Sequence, residues 1–294
     1  MPVPVQLIVP FAAGGGSDEA ARAFARYAAP RLSGGIAVVN RTGNSGATGF
    51  RLGADAPADG RTLTLMVASL IAGPHAGDGY AVSYRDFTPV CLLATMPLVL
   101  CVRADSSLRT FRQMLDDARD RPGQLALGTA GRGSFVDLAA RALAQAAQLS
   151  IALRALAGSA EQIEALRAGA LDVAQISLDE ALPLVRTGRL RALAVAGMET
   201  SPALPGVPTT AEHGIALDMG FFRGLGAPRG LPQYVSAELE QACAATAADE
   251  GFRQHLLSQG APPRFLAGAA YGAWLAALDQ SFAAVIAAEV AGQG

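Results

Sequence analysis

Blocks of apolar and polar residues at the start of the chain predict alternating strands and helices. The β-branched run Val5 to Val9 predicts a buried strand that ends at Pro10, because proline has no N–H to donate to a sheet. Apolar residues at positions 21, 24, 25, 28 and 32 then recur at helical spacing. Further strands are predicted at Ile36 to Asn40 and Thr62 to Ala68. This β–α–β–α–β order is typical of a mostly parallel sheet with right-handed crossovers.

The same design of strand, loop and helix returns in the middle of the chain. Two strands are predicted at Val90 to Ala94 and Leu98 to Arg103, with Pro97 between them as a break. Leu125 to Gly128 is a further predicted strand, and it leads through a glycine-rich segment into the predicted helix Phe135 to Gln148. Two such modules in one chain predict two lobes that face each other across a cleft.

The glycine-rich loop after the first strand is the first candidate site. Gly14, Gly15 and Gly16 allow positive φ and a close approach of the backbone to a ligand. We predict that Ser17 caps the following helix and that Asp18 lies in its first turn. Unpaired N–H groups at the positive end of that helix would suit an anion. The alternative, that the glycines only form a tight turn, stays open on these residues alone.

Composition limits what such a site can do. The chain has 294 residues, 51% of them hydrophobic, and can therefore bury a large core. All 23 basic residues are arginine, which excludes a phosphate loop that depends on lysine and any Schiff-base chemistry on a lysine amine. A net charge of −2 with interspersed signs provides no basic field, so no nucleic-acid partner is expected.

Cysteine and histidine patterns favour neither a metal centre nor catalysis. The cysteines Cys91, Cys101 and Cys243 lack CxxC spacing and are predicted to be buried core thiols. The histidines at positions 75, 213 and 255 are scattered, and the sequence contains no GxSxG or HExxH motif. We therefore expect no metal, no cofactor and no enzymatic activity, with an enzyme that acts on small carboxylic acids as the alternative.

Neither a membrane span nor a leader is predicted. The apolar window 87–102 is interrupted by two prolines and is too short for a membrane-spanning helix. The chain passes from Met1 into a strand without the basic and apolar regions of a signal peptide. Either the protein is cytoplasmic, or it is a mature chain in which Met1 stands in place of a leader.

Several short segments occur along nearly the whole chain. Each is a weak signal by itself, but their order and spacing together are specific. They are Val9 to Asp18 with Ala21 and Arg22, Val39 to Arg41 with Gly43, Gly46 and Gly49, Asp59-Gly60, Asp86 to Val90, Pro122-Gly123, Gly188 to Val195, and Leu204 to Thr209. Together they resemble the Bug/TctC extracytoplasmic solute receptors, which are the substrate-binding proteins of tripartite tricarboxylate transporters.

The resemblance implies an α/β, two-lobed periplasmic-binding-protein fold of type II. Each lobe would be a mostly parallel sheet flanked by helices, with two crossing strands as the hinge. One lobe would comprise residues 1–100 and 220–294, and the other residues 101–219. A periplasmic location is also implied, with the leader absent from this chain.

The ligand-binding positions that the resemblance implies lie in both glycine-rich loops and at strand ends. In the first lobe they are Phe11, Ala12, Gly15, Gly16, Ser17, Asp18, Ser69 and Phe222. In the second lobe they are Thr129, Ala130, Gly131, Arg132, Gly133, Ser134 and Ser177. Arg132 is either a partner for a distal carboxylate or a solvated loop residue, and both interpretations stay open.

The implied function is capture of a small carboxylate in the cleft and its delivery to membrane transporter subunits. A receptor that reports its ligand to a sensor kinase is the alternative, and a monomer is expected. Gln175, Ile176 and Ser177 replace a Phe-Asp-Asn-like segment of the family, so no acidic side chain is expected near that strand end. Because a ligand ammonium group would need such a carboxylate, we predict an amine-free di- or tricarboxylate or an aromatic acid.

Overall fold

The computed structural model describes residues 3–75 and 80–291, with side chains up to residue 287. Contacts divide the chain into two compact units. The described residues of Met1–Thr95 and Phe222–Ala277 form the first unit, and those of Met96–Phe221 and Leu278–Gly294 form the second. Met1, on which the expectation about a leader depends, lies outside the described residues.

Strands and helices alternate through most of the chain. The strands are β1 (Val5–Val9), β2 (Ile36–Asn40), β3 (Thr62–Met66), β4 (Phe87–Arg103), β5 (Ala126–Ala130), β6 (Ala152–Leu156), β7 (Val173–Ser177), β8 (Leu190–Ala196), β9 (Gly220–Pro228) and β10 (Pro263–Ala267). The α-helices are α1 (Gly16–Ala28), α2 (Ala47–Ala54), α3 (Ser69–Ala72), α4 (Phe111–Asp120), α5 (Phe135–Ala146), α6 (Ser159–Arg167), α7 (Leu178–Arg186), α8 (Gln233–Ala247), α9 (Glu250–Ser258) and α10 (Gly268–Ala291). The predicted bounds of β1 and β2 are confirmed at both ends.

The first unit is built on a sheet in the order β2-β1-β3-β9-β4-β10. β1 pairs in parallel with both β2 and β3, so that Leu7 lies between Val38 and Leu63. β9 runs antiparallel to β3, and β10 runs antiparallel to β4. Because β1, β2 and β3 are parallel, the loops that follow them lie at one edge of this sheet, which is where open α/β sheets bind ligands.

The second unit is built on a sheet in the order β6-β5-β7-β4-β8. β5 is parallel to β6 and β7, whereas β4 is antiparallel to β7 and β8. Leu100 and Val102 of β4 pack in one core cluster with Phe111 of α4, and Val99 and Cys101 pack in another on the opposite face. The apolar run of β4 is thus buried on both faces, as expected for a central strand.

β4 is one continuous strand, so the prediction of two strands separated at Pro97 is wrong. A proline removes only one donor, and here the strand changes partners near it instead of ending. The pairing with β10 extends to Ala94, and the pairings with β7 and β8 begin at Leu98. β4 and β9 each contribute residues to both units.

Helix α10 also contributes to both units. Residues 278–294 were expected in the first lobe, but the described residues from Leu278 onward belong to the second unit. Packing explains the division. Trp274 lies 5.1 Å from Phe222 of the first unit, whereas Phe282 lies 5.4 Å from Phe135 of the second, measured between ring centroids.

The predicted core thiols are confirmed, because Cys91, Cys101 and Cys243 are free and buried. Burial raises the pKa of Cys101 to about 12, which keeps this thiol protonated and unreactive. Within residues 3–75 and 80–291, no helix is long and apolar enough to cross a bilayer. The described residues contain no group of three or more His, Cys, Asp or Glu side chains that could hold a metal ion.

Candidate functional site

Loop 1, residues 10–16, follows the carboxyl end of β1, and its residues 12–16 are exposed. Helix α1 begins at Gly16, with Gly15 as its N-cap and no side-chain hydrogen bond to the cap. The prediction that Ser17 caps this helix is therefore wrong. The N–H groups of the first helical turn, which have no carbonyl partner within a helix, are left available to a ligand.

Asp18 braces loop 1 from inside the first unit. Its side chain is 2% exposed, and Oδ2 accepts hydrogen bonds from the Gly14 N–H and from Arg22 Nε, both at 2.9 Å. Oδ1 accepts a hydrogen bond from Asn40 Nδ2 at 2.9 Å, and the same Nδ2 donates to the Phe11 carbonyl at 3.0 Å. One carboxylate thus joins the loop, the helix and the end of β2. Its oxygens serve the fold, although we had predicted Asp18 as a ligand contact.

The Asp18 carboxylate is charged at neutral pH. The hydrogen bond from Arg22 is the main cause that lowers the pKa of Asp18 from 3.8 to about 2, and the bonds from Gly14 and Asn40 act in the same direction. Burial opposes them, because it disfavours the charged form. Since the Arg22 charge balances that of Asp18, the brace adds no net charge to loop 1.

Glycines bring α2 close to the start of loop 1. A Cβ at Gly49 would lie 2.7 Å from Pro10 Cα and would also meet the Arg41 carbonyl. Gly46 has a φ of +96°, and a Cβ there would lie 3.1 Å from the Phe11 ring. Glycine at these positions therefore lets α2 pack directly against loop 1.

A positive charge that the sequence analysis missed lies beside loop 1. Nη2 of Arg223, on β9, lies 3.7 Å from the position that a Cβ on Gly16 would occupy. The Arg223 side chain is partly exposed, and its Nη1 donates to the Phe222 carbonyl at 3.0 Å. A guanidinium next to the N–H groups of a helix N-terminus is an arrangement suited to a carboxylate.

Ser69 lies at the predicted edge of the first sheet but faces inward. It begins α3 just beyond β3, and its Oγ is buried within the first unit. Nearby, the Tyr80 hydroxyl donates to the Ser45 carbonyl at 3.4 Å, and burial raises the pKa of Tyr80 to about 12. The role of Ser69 as a ligand contact stays a prediction.

Loop 2, residues 129–134, is braced in the same way within the second unit. Asp137 is 1% exposed, and its Oδ2 accepts from the Gly133 N–H at 2.9 Å and from Arg141 Nε at 2.8 Å. Its Oδ1 accepts from Thr129 Oγ1 at 3.1 Å. Gly14 and Gly133 both have positive φ, +82° and +74°. Each unit thus contains a glycine, an aspartate four residues later and an arginine four residues after that.

The predicted contacts in loop 2 fall into two groups. The Thr129 hydroxyl is buried and serves the brace, and Ser134 Oγ caps α5 by accepting from the Asp137 N–H at 3.2 Å. The remaining positions are at least partly exposed: Ala130, Gly131, Arg132 and Gly133. The Gly131 N–H donates to the Leu156 carbonyl at 2.7 Å, which fixes the loop to the end of β6. The role of Arg132 stays open between the two interpretations.

An acidic side chain lies beside Ser177, contrary to the prediction. Ser177 Oγ donates to Glu180 Oε2 at 2.5 Å, and Ser159 Oγ donates to the same oxygen at 2.7 Å. The prediction considered the strand alone, whereas the first turn of α7 returns Glu180 to the strand end. The argument that excluded a ligand amine thereby loses its basis.

Phe222 is a core residue in this structure. Its side chain is 0% exposed, and its ring lies 5.1 Å from Trp274 and 6.3 Å from Tyr271, measured between centroids. These neighbours cover the ring completely. The structure therefore argues against Phe222 as a direct ligand contact.

Comparisons with known proteins agree on one family. Residues 20–271 match the model of the tripartite tricarboxylate transporter family receptor. A relative from Pseudomonas sp. strain P51, the UPF0065 protein in the tcbD-tcbE intergenic region, is 34% identical over 90% of this chain and 81% of its own length.

Solved structures give the same result. A TctC solute-binding protein from Polaromonas has a TM-score of 0.90 and 30% identity over 96% of this chain and 97% of its own. MatC from Rhodopseudomonas palustris, solved with malate, has a TM-score of 0.69 and 27% identity over 96% and 98%. Rpa4515 from R. palustris, solved with adipate, has a TM-score of 0.71 and 27% identity over 96% and 95%. The predicted fold class is confirmed.

Proposed function

This chain belongs to the tripartite tricarboxylate transporter receptor family, and we propose that it is a periplasmic receptor that captures a small dicarboxylate and delivers it to the membrane subunits of such a transporter. Membership of this family supports the proposed transporter subunits and the proposed periplasmic location. A role in signalling to a sensor kinase would use the same binding step.

Arg223 beside the uncapped N-terminus of α1 is the observation that carries this proposal. The ligand carboxylate would accept hydrogen bonds from backbone N–H groups in the first turn of α1 and from the guanidinium of Arg223. Charge-assisted hydrogen bonds of this kind are shorter and stronger than neutral ones. The Asp18 brace holds loop 1 in place before a ligand arrives, which lowers the entropy lost on binding.

The ligand class is proposed from the relatives. MatC was solved with malate and Rpa4515 with adipate, and neither acid carries an amine. We therefore retain an amine-free dicarboxylate as the proposed ligand. The sequence argument for it no longer applies, because Glu180 places an acidic side chain beside Ser177. That one ligand contacts both loop 1 and loop 2 stays a prediction, as does a distal contact with Arg132.

Replacement of Arg223 tests the proposed site. Arg223→Gln should weaken dicarboxylate binding by about 10- to 100-fold, since one charge-assisted hydrogen bond contributes about 1.5–3 kcal/mol. Isothermal titration calorimetry with malate and adipate measures the change. Arg26→Gln is the matched control, because Arg26 is an exposed arginine in the last turn of α1, at the opposite end of this helix from Gly16. Equal affinity of both variants would show that the carboxylate binds elsewhere.

Glu180 allows a direct test of the ligand class. If the ligand is amine-free, Glu180→Gln should leave malate affinity within about threefold of wild type, because removing the charge relieves repulsion and breaks no ligand contact. Competition between malate and aspartate on the two proteins provides the measurement. Tight aspartate binding that Glu180→Gln abolishes would instead establish an amino-acid receptor.

A further inference from the structure

A second concave site lies in the second unit, at the opposite end of its sheet from loop 2. β4 runs antiparallel to β7, so Arg103 at the end of β4 lies near the start of β7. Loop 2 follows the end of β5, which is parallel to β7. The cavity near Arg103 has a volume of about 320 Å³, within the range of small-molecule sites. It is thus separate from loop 2.

Three arginines line this cavity: Arg103, Arg167 and Arg189. Arg103 Nε donates to Asp105 Oδ1 at 2.8 Å, and Arg167 Nη1 donates to Glu164 Oε1 at 2.9 Å. For the Arg189 side chain, no hydrogen bond or ion pair is recorded among the described residues. With Asp105 and Glu164 counted, the three positive charges exceed the two negative ones by one, in a chain whose net charge is −2.

The cavity also has an apolar floor, formed by residues of α6, α7 and β8. Leu190 is 4% exposed, and Ile163 of α6 and Leu184 of α7 are partly buried beside it. Arg103 is paired in register with Leu190, and the Ala104 N–H donates to the Arg189 carbonyl at 3.3 Å. The backbones that carry Arg103 and Arg189 are therefore fixed relative to each other.

We propose that this cavity binds a small organic anion that carries an oxyanion group on an apolar body. The planar guanidinium groups would hold the oxygens in forked hydrogen bonds, and the leucine and isoleucine side chains would cover the apolar part. The site is independent of loop 1 and therefore of the proposed carboxylate receptor function.

Phenyl phosphate is a suitable probe because it carries an oxyanion group on an apolar ring. Inorganic phosphate, which lacks the ring, is the control ligand. We expect phenyl phosphate to bind more tightly than phosphate and to bind more weakly as ionic strength rises. The double variant Arg167→Gln/Arg189→Gln should weaken phenyl phosphate at least about tenfold. Arg186→Gln, a neighbouring exposed arginine outside the cavity lining, should not.

Titration calorimetry of the full chain and the melting temperature of each variant complete the test. Because Arg167 and Arg189 are exposed, the double variant should melt like wild type. Absence of phenyl phosphate binding would overturn the proposal. Binding that survives the double variant but is lost in Arg223→Gln would also overturn it, since the anion would then occupy loop 1. Loss of dicarboxylate binding alone would leave this site intact.

Discussion

Asp18 and Asp137 each support a glycine-rich loop through a buried carboxylate. In both, the carboxylate accepts the N–H of a glycine with positive φ and the Nε of an arginine one helical turn further on. A carboxylate buried without these donors would be strongly unfavourable, so each loop conformation and its brace depend on each other. This explains why the carboxylate of Asp18, which the sequence analysis predicts as a ligand contact, holds the backbone of loop 1.

Stability in acid should depend on Asp18. Its pKa is lower in the folded state, about 2, than the ordinary 3.8, so its contribution is complete above about pH 4 and is lost as pH falls through about 2. Asp18→Asn should therefore reduce the free energy of unfolding by about 2 kcal/mol near neutral pH, with the gap closing in acid. Urea unfolding across this pH range measures the gap. Glu19→Gln is the neighbouring control, and parallel pH profiles of Asp18→Asn and wild type would contradict the prediction.

The repeated unit of strand, loop and helix is the element that positions the candidate site. Periodicity predicted β1, β2 and the helices that follow the two loops, because their apolar spacing is local and regular. Prediction from the sequence failed where the local residues were compatible with more than one backbone structure. The sequence predicts a strand end at Pro97, although β4 continues through it, and a cap at Ser17, although Gly15 is the N-cap residue. The continuity of β4 depends on strands distant in sequence, because β10, β7 and β8 pair with it on either side of Pro97.

Packing of α2 against loop 1 should tolerate no side chain at Gly49. Gly49→Ala places a Cβ 2.7 Å from Pro10 Cα, a backbone atom that cannot move without moving loop 1. We expect a loss of about 1–3 kcal/mol in stability together with weaker ligand binding. Gly272→Ala is the control, because its Cβ would have 3.4 Å to the nearest atom and a helix gains stability from alanine. Equal stability of the two variants, by urea unfolding, would refute this account.

For the whole molecule, order and spacing of weak motifs were sufficient to predict the family and the fold class. Fewer details of the candidate site could be predicted from the sequence. The spacing of glycine, aspartate and arginine, at Gly14, Asp18 and Arg22 and again at Gly133, Asp137 and Arg141, is visible in the sequence and would have identified the second brace. No local pattern marks Arg223, since tertiary folding brings it to loop 1. Glu180 was accessible, because Ser177 and Glu180 have the S-x-x-E spacing of a helix start.

Direct titration with dicarboxylates tests the central claim. The account predicts that malate or adipate binds at one site per chain and stabilises the protein, by about 2.7 kcal/mol at a ligand concentration one hundred times the Kd. Isothermal titration calorimetry, with thermal unfolding at saturating ligand, measures both quantities on the wild-type chain. Binding that Arg223→Gln weakens and Arg26→Gln preserves is the predicted result. Neither heat nor a rise in melting temperature with any di- or tricarboxylate would contradict the account.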